Sequence, residues 1–265
     1  MMADSQDTSL NRRDLLQLSG RTLLAVSLSQ HFLRAGYASE QGTAKAEEWS
    51  SRLDDVSRQL AANKISGLQW QEALDEIYGS APMSELLKAV DFNRLSDQLA
   101  TRDIGKRGEI FHDIPLGPIP ALDKASGSPH ETAIVKIAHV KKGRSIPPHG
   151  HSNMVSAFLC VSGEFEVQLF DRLEQTDKDM VVRQTVDEKS ATAGSWSSIS
   201  DYRNNIHWLK AKSDDCFLFT AKLIRLEKGK EFRGRINVNL KDAKQLGSQT
   251  WRAPVITGRE AAALY

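Results

Sequence analysis

The chain has 265 residues, with 35 basic against 34 acidic side chains and a formal charge of +1. Hydrophobic residues make up 40% and charged residues 26%, which suits a packed core and gives no electrostatic reason to expect nucleic acid as a partner. No run of about 18 apolar residues is present, which excludes an ordinary membrane-spanning helix, and two cysteines are too few for a disulfide framework or a cysteine-rich zinc site.

Residues 1–40 open with Asn11-Arg12-Arg13-Asp14, followed by a modestly apolar stretch around Leu23-Leu24-Ala25-Val26 and small residues at Gly36 and Ala38. Paired arginines ahead of such a stretch resemble a twin-arginine export signal, with a cleavage site near Ala38. That reading places the protein in the periplasm. The alternative is an amphipathic surface helix that begins with two arginines, in a cytoplasmic protein. Gly20 and Arg21, which interrupt the apolar stretch, favour this alternative.

Residues 41–108 read as a helical extension. Trp49, Leu53, Val56 and Leu60 repeat at helical spacing. Ser66 and Gln69 suit a capping box for a second helix carrying Trp70, Leu74 and Ile77. Pro82 stands near the start of a third, with Leu86, Leu87, Val90 and Leu95. These stripes are expected to pack on a neighbouring domain.

Residues 109–265 change character. Short strand candidates lie at 133–140, 157–161, 165–170, 181–186 and 216–224. Turn residues separate them, among them Lys142-Gly143, Pro147-Pro148, Ser162-Gly163 and Ala193-Gly194. Many short strands without a long helix between them argue for an antiparallel sandwich or barrel. The basic tail after Lys228 is expected to wrap that barrel.

Four histidines fall in this region, at positions 139, 149, 151 and 207. His149-Gly150-His151 places two imidazoles on one side of a strand, where their neutral ring nitrogens can close on one metal. The competing reading is an exposed pair in a proline-rich loop. His139 reads as structural. Cys160 and Cys216 read as small buried hydrophobes, and a single disulfide between them stays open.

Gly143, then His149, His151 and Gly163, resemble the first signature of the cupin superfamily, and His207 fills the histidine place of the second. The resemblance implies a mainly β fold, a cupin double-stranded β-helix barrel with an α-helical N-terminal extension. The first signature's usual glutamate is missing, since Val155 and Ser156 stand there. Tyr202 and Asn204 replace the proline and glycine of the second. The resemblance therefore implies metal ligation by His149, His151 and His207 alone. Glu164 and Glu166 follow the turn glycine and are expected to point away.

Within the cupins, the three-histidine thiol dioxygenases of the cysteamine dioxygenase and plant cysteine oxidase type are most similar. Met154 and Gly163 stand at that family's offsets from the histidine pair. Phe170-Asp171, Asn205-Ile206-His207 and Ala211 match its later blocks. The match covers about residues 134–224. Lys222-Leu223-Ile224-Arg225-Leu226 departs from the proline-rich, tyrosine-containing segment expected there.

What the resemblance implies is a mononuclear non-haem iron dioxygenase acting on a small thiol. Its cofactor would be Fe(II), although other divalent metals suit the same ligands. Its partners would be a small-molecule substrate and dioxygen, with homodimer formation left open. Arg203 is a candidate for a substrate carboxylate, Tyr202 for a hydrogen-bond donor near the ligands, and Ser156 for a donor to bound oxygen or substrate. The alternatives are another metal-dependent cupin enzyme (an isomerase, a lyase or a carbon–carbon-cleaving dioxygenase) and a non-catalytic cupin that binds a small ligand.

Overall fold

A computed structural model describes residues 44–89, 112–115 and 133–265. The arginine pair at 12 and 13, Val90 and Leu95 lie outside the described residues.

Three helices come first: α1 (Ala44–Ala61), α2 (Gly67–Gly79) and α3 (Met83–Ala89). The capping box is formed. The Gln69 N–H donates to Ser66 Oγ at 3.2 Å, and the Ser66 N–H donates to Gln69 Oε1 at 2.8 Å. The strands are β1 (His112–Pro115), β2 (Ala133–Val140), β3 (Ser145–Ser152), β4 (Met154–Ser162), β5 (Phe165–Gln175) and β6 (Asp179–Ala191). They continue with β7 (Trp196–Ile199), β8 (Ile206–Ala211), β9 (Cys216–Ile224), β10 (Arg233–Val238), β11 (Lys244–Gly247) and β12 (Thr250–Ile256). A last helix, α4 (Gly258–Leu264), ends the chain with its own capping box from Thr257 to Glu260.

One sheet has the order β1-β2-β9-β4-β7 and the other β10-β3-β8-β5-β6-β12-β11, with β10 also pairing β12. The pairings are antiparallel. The fold is mainly β, a closed antiparallel barrel with N-terminal helices, as expected. The tail does more than wrap. Its strands β10 and β12 are members of the ladder, paired to β3 and β6.

Alternation along the strands assigns each face of the first sheet. Val155, Ala157, Leu159 and Val161 of β4, with Phe217, Phe219, Ala221 and Leu223 of β9, pack outward against Trp49, Leu53, Trp70 and Leu74 of the helices. The helices thus share one core with the barrel. Residues of opposite parity, among them Ala138, Val140, Cys160, Cys216 and Leu218, face inward onto Phe165, Val167, Leu169 and Leu209 of the second sheet. The parity rule then turns Lys136, Ser156, Phe158, Thr220 and Lys222 into the barrel as well. Both cysteines are buried and free.

The helices also grip a loop. On α2, Gln71 Nε2 donates to the Ser198 carbonyl at 2.7 Å, and Asp75 accepts from Ser198 Oγ at 2.7 Å and from Arg203 Nη2 at 2.5 Å. These contacts brace the segment joining β7 to β8, which leads directly into His207.

Candidate metal centre

The histidine pair lies on β3 rather than in a loop. Pro147 and Pro148 lack the N–H that the ladder needs, and the β3–β8 register shifts between Ile146 and His149. Past that irregularity His149 is the direct partner of His207 on β8. His149, His151 and His207 are all buried, and one ring nitrogen from each lies within 4.8 Å of the others. The ring centroids of His149 and His207 are 4.1 Å apart, and those of His149 and His151 4.7 Å.

Backbone carbonyls orient the rings. His149 Nδ1 donates to the Pro147 carbonyl at 2.7 Å, and His151 Nδ1 donates to that of Gly234 on β10. His207 Nδ1 makes a longer contact of 3.4 Å to the Asn205 carbonyl. A proton fixed on Nδ1 leaves the lone pair on Nε2, the tautomer a metal requires. The Nε2 atoms of His149 and His151 are buried without a hydrogen-bond partner. Two buried, unsatisfied lone pairs converging with a third ring fit a divalent cation.

Burial, reinforced by positive charge, holds all three imidazoles well below the ordinary histidine range. Arg235 is the leading charged neighbour of His149, and Lys222 that of His151 and His207. The donors are therefore neutral at physiological pH, and binding a metal requires no proton release from them.

Ser156 is fully buried on the inner face of β4, and its Oγ has no hydrogen-bond partner. Its neighbour on that face, Phe158, lies 5.0 Å from His207 between ring centroids. Tyr202 sits elsewhere. It is 63% exposed, and its hydroxyl donates to Glu227 at 2.9 Å. Arg203 is held by Asp75 and lines a separate, mostly apolar cavity of about 560 Å³ with Phe158, Leu169 and Leu209. Glu164 pairs with Lys212 and Glu166 with Lys189, so neither carboxylate joins the histidine group. His139 packs on Phe217 and faces Asp215 at 3.1 Å.

Gly234, which supplies a carbonyl from the tail, and Lys136 and Lys222, which enter the barrel, escape a reading of the sequence as site residues. Asn205 is visible there only as part of the Asn205-Ile206-His207 block, and the structure shows it bracketing the His151 peptide. The lysines leave a signal, one in each of two largely apolar strands.

No protein-family model matches the chain, and no curated protein matches it. Among solved structures it is similar to KdgF from Halomonas sp., at 16% identity and a TM-score of 0.30, over 47% of this chain and 84% of that one. It is also similar to an 11S allergen from Cocos nucifera, at 14% identity and a TM-score of 0.32, over 46% of this chain and 29% of that one. The 11S globulin from Wrightia tinctoria stands at 14% identity and a TM-score of 0.31, over 46% and 26%.

Proposed function

We propose that this chain is a mononuclear, metal-dependent cupin enzyme that oxygenates a small thiol. The observation that carries the reading is the convergence of three neutral imidazoles, each turned by a backbone carbonyl, with no carboxylate in the group among the described residues. His149, His151 and His207 would hold a ferrous ion. Three neutral ligands leave the ion's charge uncompensated and leave coordination positions for reactants. The ion would supply the Lewis acidity that lowers a thiol's pKa and the electronic route by which dioxygen reacts with it.

The net change is R–SH plus O2 to R–SO2H, with both oxygen atoms on sulfur and no external reductant. The chain's own residues set the stage for it. The carbonyls of Pro147, Gly234 and Asn205 fix the imidazole tautomers. Phe158 packs beside the His207 ring. Ser156 Oγ is a buried hydroxyl with a proton to donate on that same inner face.

The test is metal analysis of anaerobically purified protein, then oxygen uptake with a panel of small thiols. About one ferrous ion per chain, lost in His207→Ala, and thiol-dependent uptake are the expected results. Full metal occupancy in His207→Ala would overturn the assignment. Metal without thiol-dependent uptake would remove the dioxygenase reading and keep the metal site.

A further inference from the structure

The cavity that Arg203 lines is set beside the histidine group but apart from it. Its volume is about 560 Å³, and Phe165, Leu169, Leu209 and Leu218 make its walls apolar. Phe158 is the shared wall: it lines the cavity, and its ring lies 5.0 Å from that of His207. None of His149, His151 and His207 is among the lining residues. Thr185 and Glu188 of β6 and Trp196 of β7 are the lining residues that are exposed, so the mouth opens between these two strands. The helical extension builds part of the rim. Asp75 of α2 lines the cavity and is paired with Arg203 at 2.5 Å. Gly79, at the end of α2, lies close against Trp196, since a Cβ there would stand 3.2 Å from the indole.

We propose that this cavity is a second ligand site, distinct from the metal centre, for an uncharged small molecule with an aryl-sized apolar body and one oxygen acceptor. Its volume falls within the range of small-molecule sites, about 300–1,000 Å³. An apolar body that enters such walls leaves water for apolar contact, which is favourable. Charge decides the class of ligand. The charged lining residues are Asp75, Glu188 and Arg203, and Asp75 already neutralises the Arg203 guanidinium. A carboxylate ligand would therefore meet the remaining negative charge of Glu188 while losing its own water among Phe165, Leu169 and Leu209. An uncharged oxygen has a donor to meet, because Arg203 Nε is buried without a hydrogen-bond partner. The inference stands apart from the metal reading, since the site uses neither the histidines nor an ion.

Three aryl compounds of nearly equal size separate the cases: 2-phenylethanol, ethylbenzene and phenylacetate carry a hydroxyl, no polar group and a carboxylate. Calorimetric titration of the full chain, with and without added metal, should show one site for 2-phenylethanol in both forms. Ethylbenzene should bind more weakly, and phenylacetate at least about tenfold more weakly than the alcohol. Tryptophan emission should shift on binding. Trp196→Phe should lose most of that shift and keep the calorimetric binding, which places the ligand at this mouth. Val186→Trp puts an indole into the cavity from a half-buried lining position and should weaken binding by about tenfold or more in protein that still melts cooperatively. No binding of 2-phenylethanol to the wild-type chain overturns the site. Phenylacetate as tight as the alcohol overturns the uncharged class, and ethylbenzene as tight overturns the acceptor met by Arg203 Nε. Unchanged binding in folded Val186→Trp overturns the location. Each of these outcomes leaves the metal reading standing, and a chain that takes up no metal leaves this site standing.

Discussion

Asn205 holds the peptide of His151 from both sides. Its Oδ1 accepts from the His151 N–H at 3.3 Å, and its Nδ2 donates to the His151 carbonyl at 3.1 Å. The same amide group also donates to the Ser200 carbonyl at 3.0 Å, tying β3 to the segment that ends in His207. Gly150 is part of this arrangement, because a Cβ there would lie 2.4 Å from Asn205 Oδ1.

The first prediction follows from that bracket. Asn205→Ala should weaken metal affinity by roughly 10–100-fold, the usual loss when a group that orients a ligand is removed. Gly150→Ala should act the same way, by displacing Asn205. Competition with a chromophoric chelator measures both. Wild-type affinity in a folded Asn205→Ala protein would show that β3 orients His151 unaided.

The second prediction concerns pH and the metal-free protein. Burial and neighbouring cations depress the folded-state pKa values of His149, His151 and His207. In the unfolded chain these residues titrate near the ordinary value of about 6.5. Below that pH the unfolded state binds more protons than the folded state, so stability falls as pH falls. The slope is up to about 1.4 kcal/mol per pH unit for each residue, and it persists down to the depressed folded values. Urea unfolding of metal-free protein between pH 7.5 and 5 should show this decline. Replacing all three histidines with asparagine should flatten it, and an unchanged slope would locate the acid sensitivity elsewhere.

The third prediction tests whether the helices belong to the barrel's core. Leu74 of α2 is fully buried in the cluster that contains Phe217, Phe219 and Ala157. Leu74→Ala should cost about 2–5 kcal/mol in a single unfolding transition. Circular dichroism at helix and sheet wavelengths should report the same midpoint. Two separated transitions would mean that the helices fold apart from the barrel.

Periodicity made much of this architecture readable. The apolar runs at 133–140 and 216–224 coincide with β2 and β9, because both sides of these strands are buried and their composition is continuous. The helical stripe of Trp49, Leu53, Val56 and Leu60 became buried surface for the same reason. The site was half legible. Two histidines one residue apart announce a shared face, and the spacing to His207 matched a known pattern. The chain does not announce which backbone carbonyls will turn the rings, because Gly234 reaches His151 only through pairing of strands far apart in sequence. The strand content of the tail was masked for a similar reason. Arg233, Gly234 and Arg235 of β10 are exposed, so half of that strand has no apolar signature. Arg203 and Tyr202, adjacent to the ligand segment in sequence, lie on a loop whose side chains turn to Asp75 and Glu227.

The last prediction concerns Ser156, the position where many cupins carry a carboxylate. Its side chain faces the inner chamber, is fully buried, and stands opposite Lys222 in the β4–β9 register. In Ser156→Glu, a carboxylate would enter the barrel on the face that Lys222 shares, so it does not meet an apolar void. It can serve as a fourth ligand beside the three imidazoles, and so fill a coordination position that a reactant would need. The variant should therefore retain or tighten metal binding, lose thiol-dependent oxygen uptake by about tenfold or more, and so add roughly 1.4 kcal/mol or more to the barrier. Metal content, thermal melting and oxygen uptake on one preparation check this. A folded, metal-loaded variant with unchanged uptake would show that the missing carboxylate is incidental to the chemistry. A variant that melts early and binds no metal would show instead that Ser156 fills space in the barrel wall.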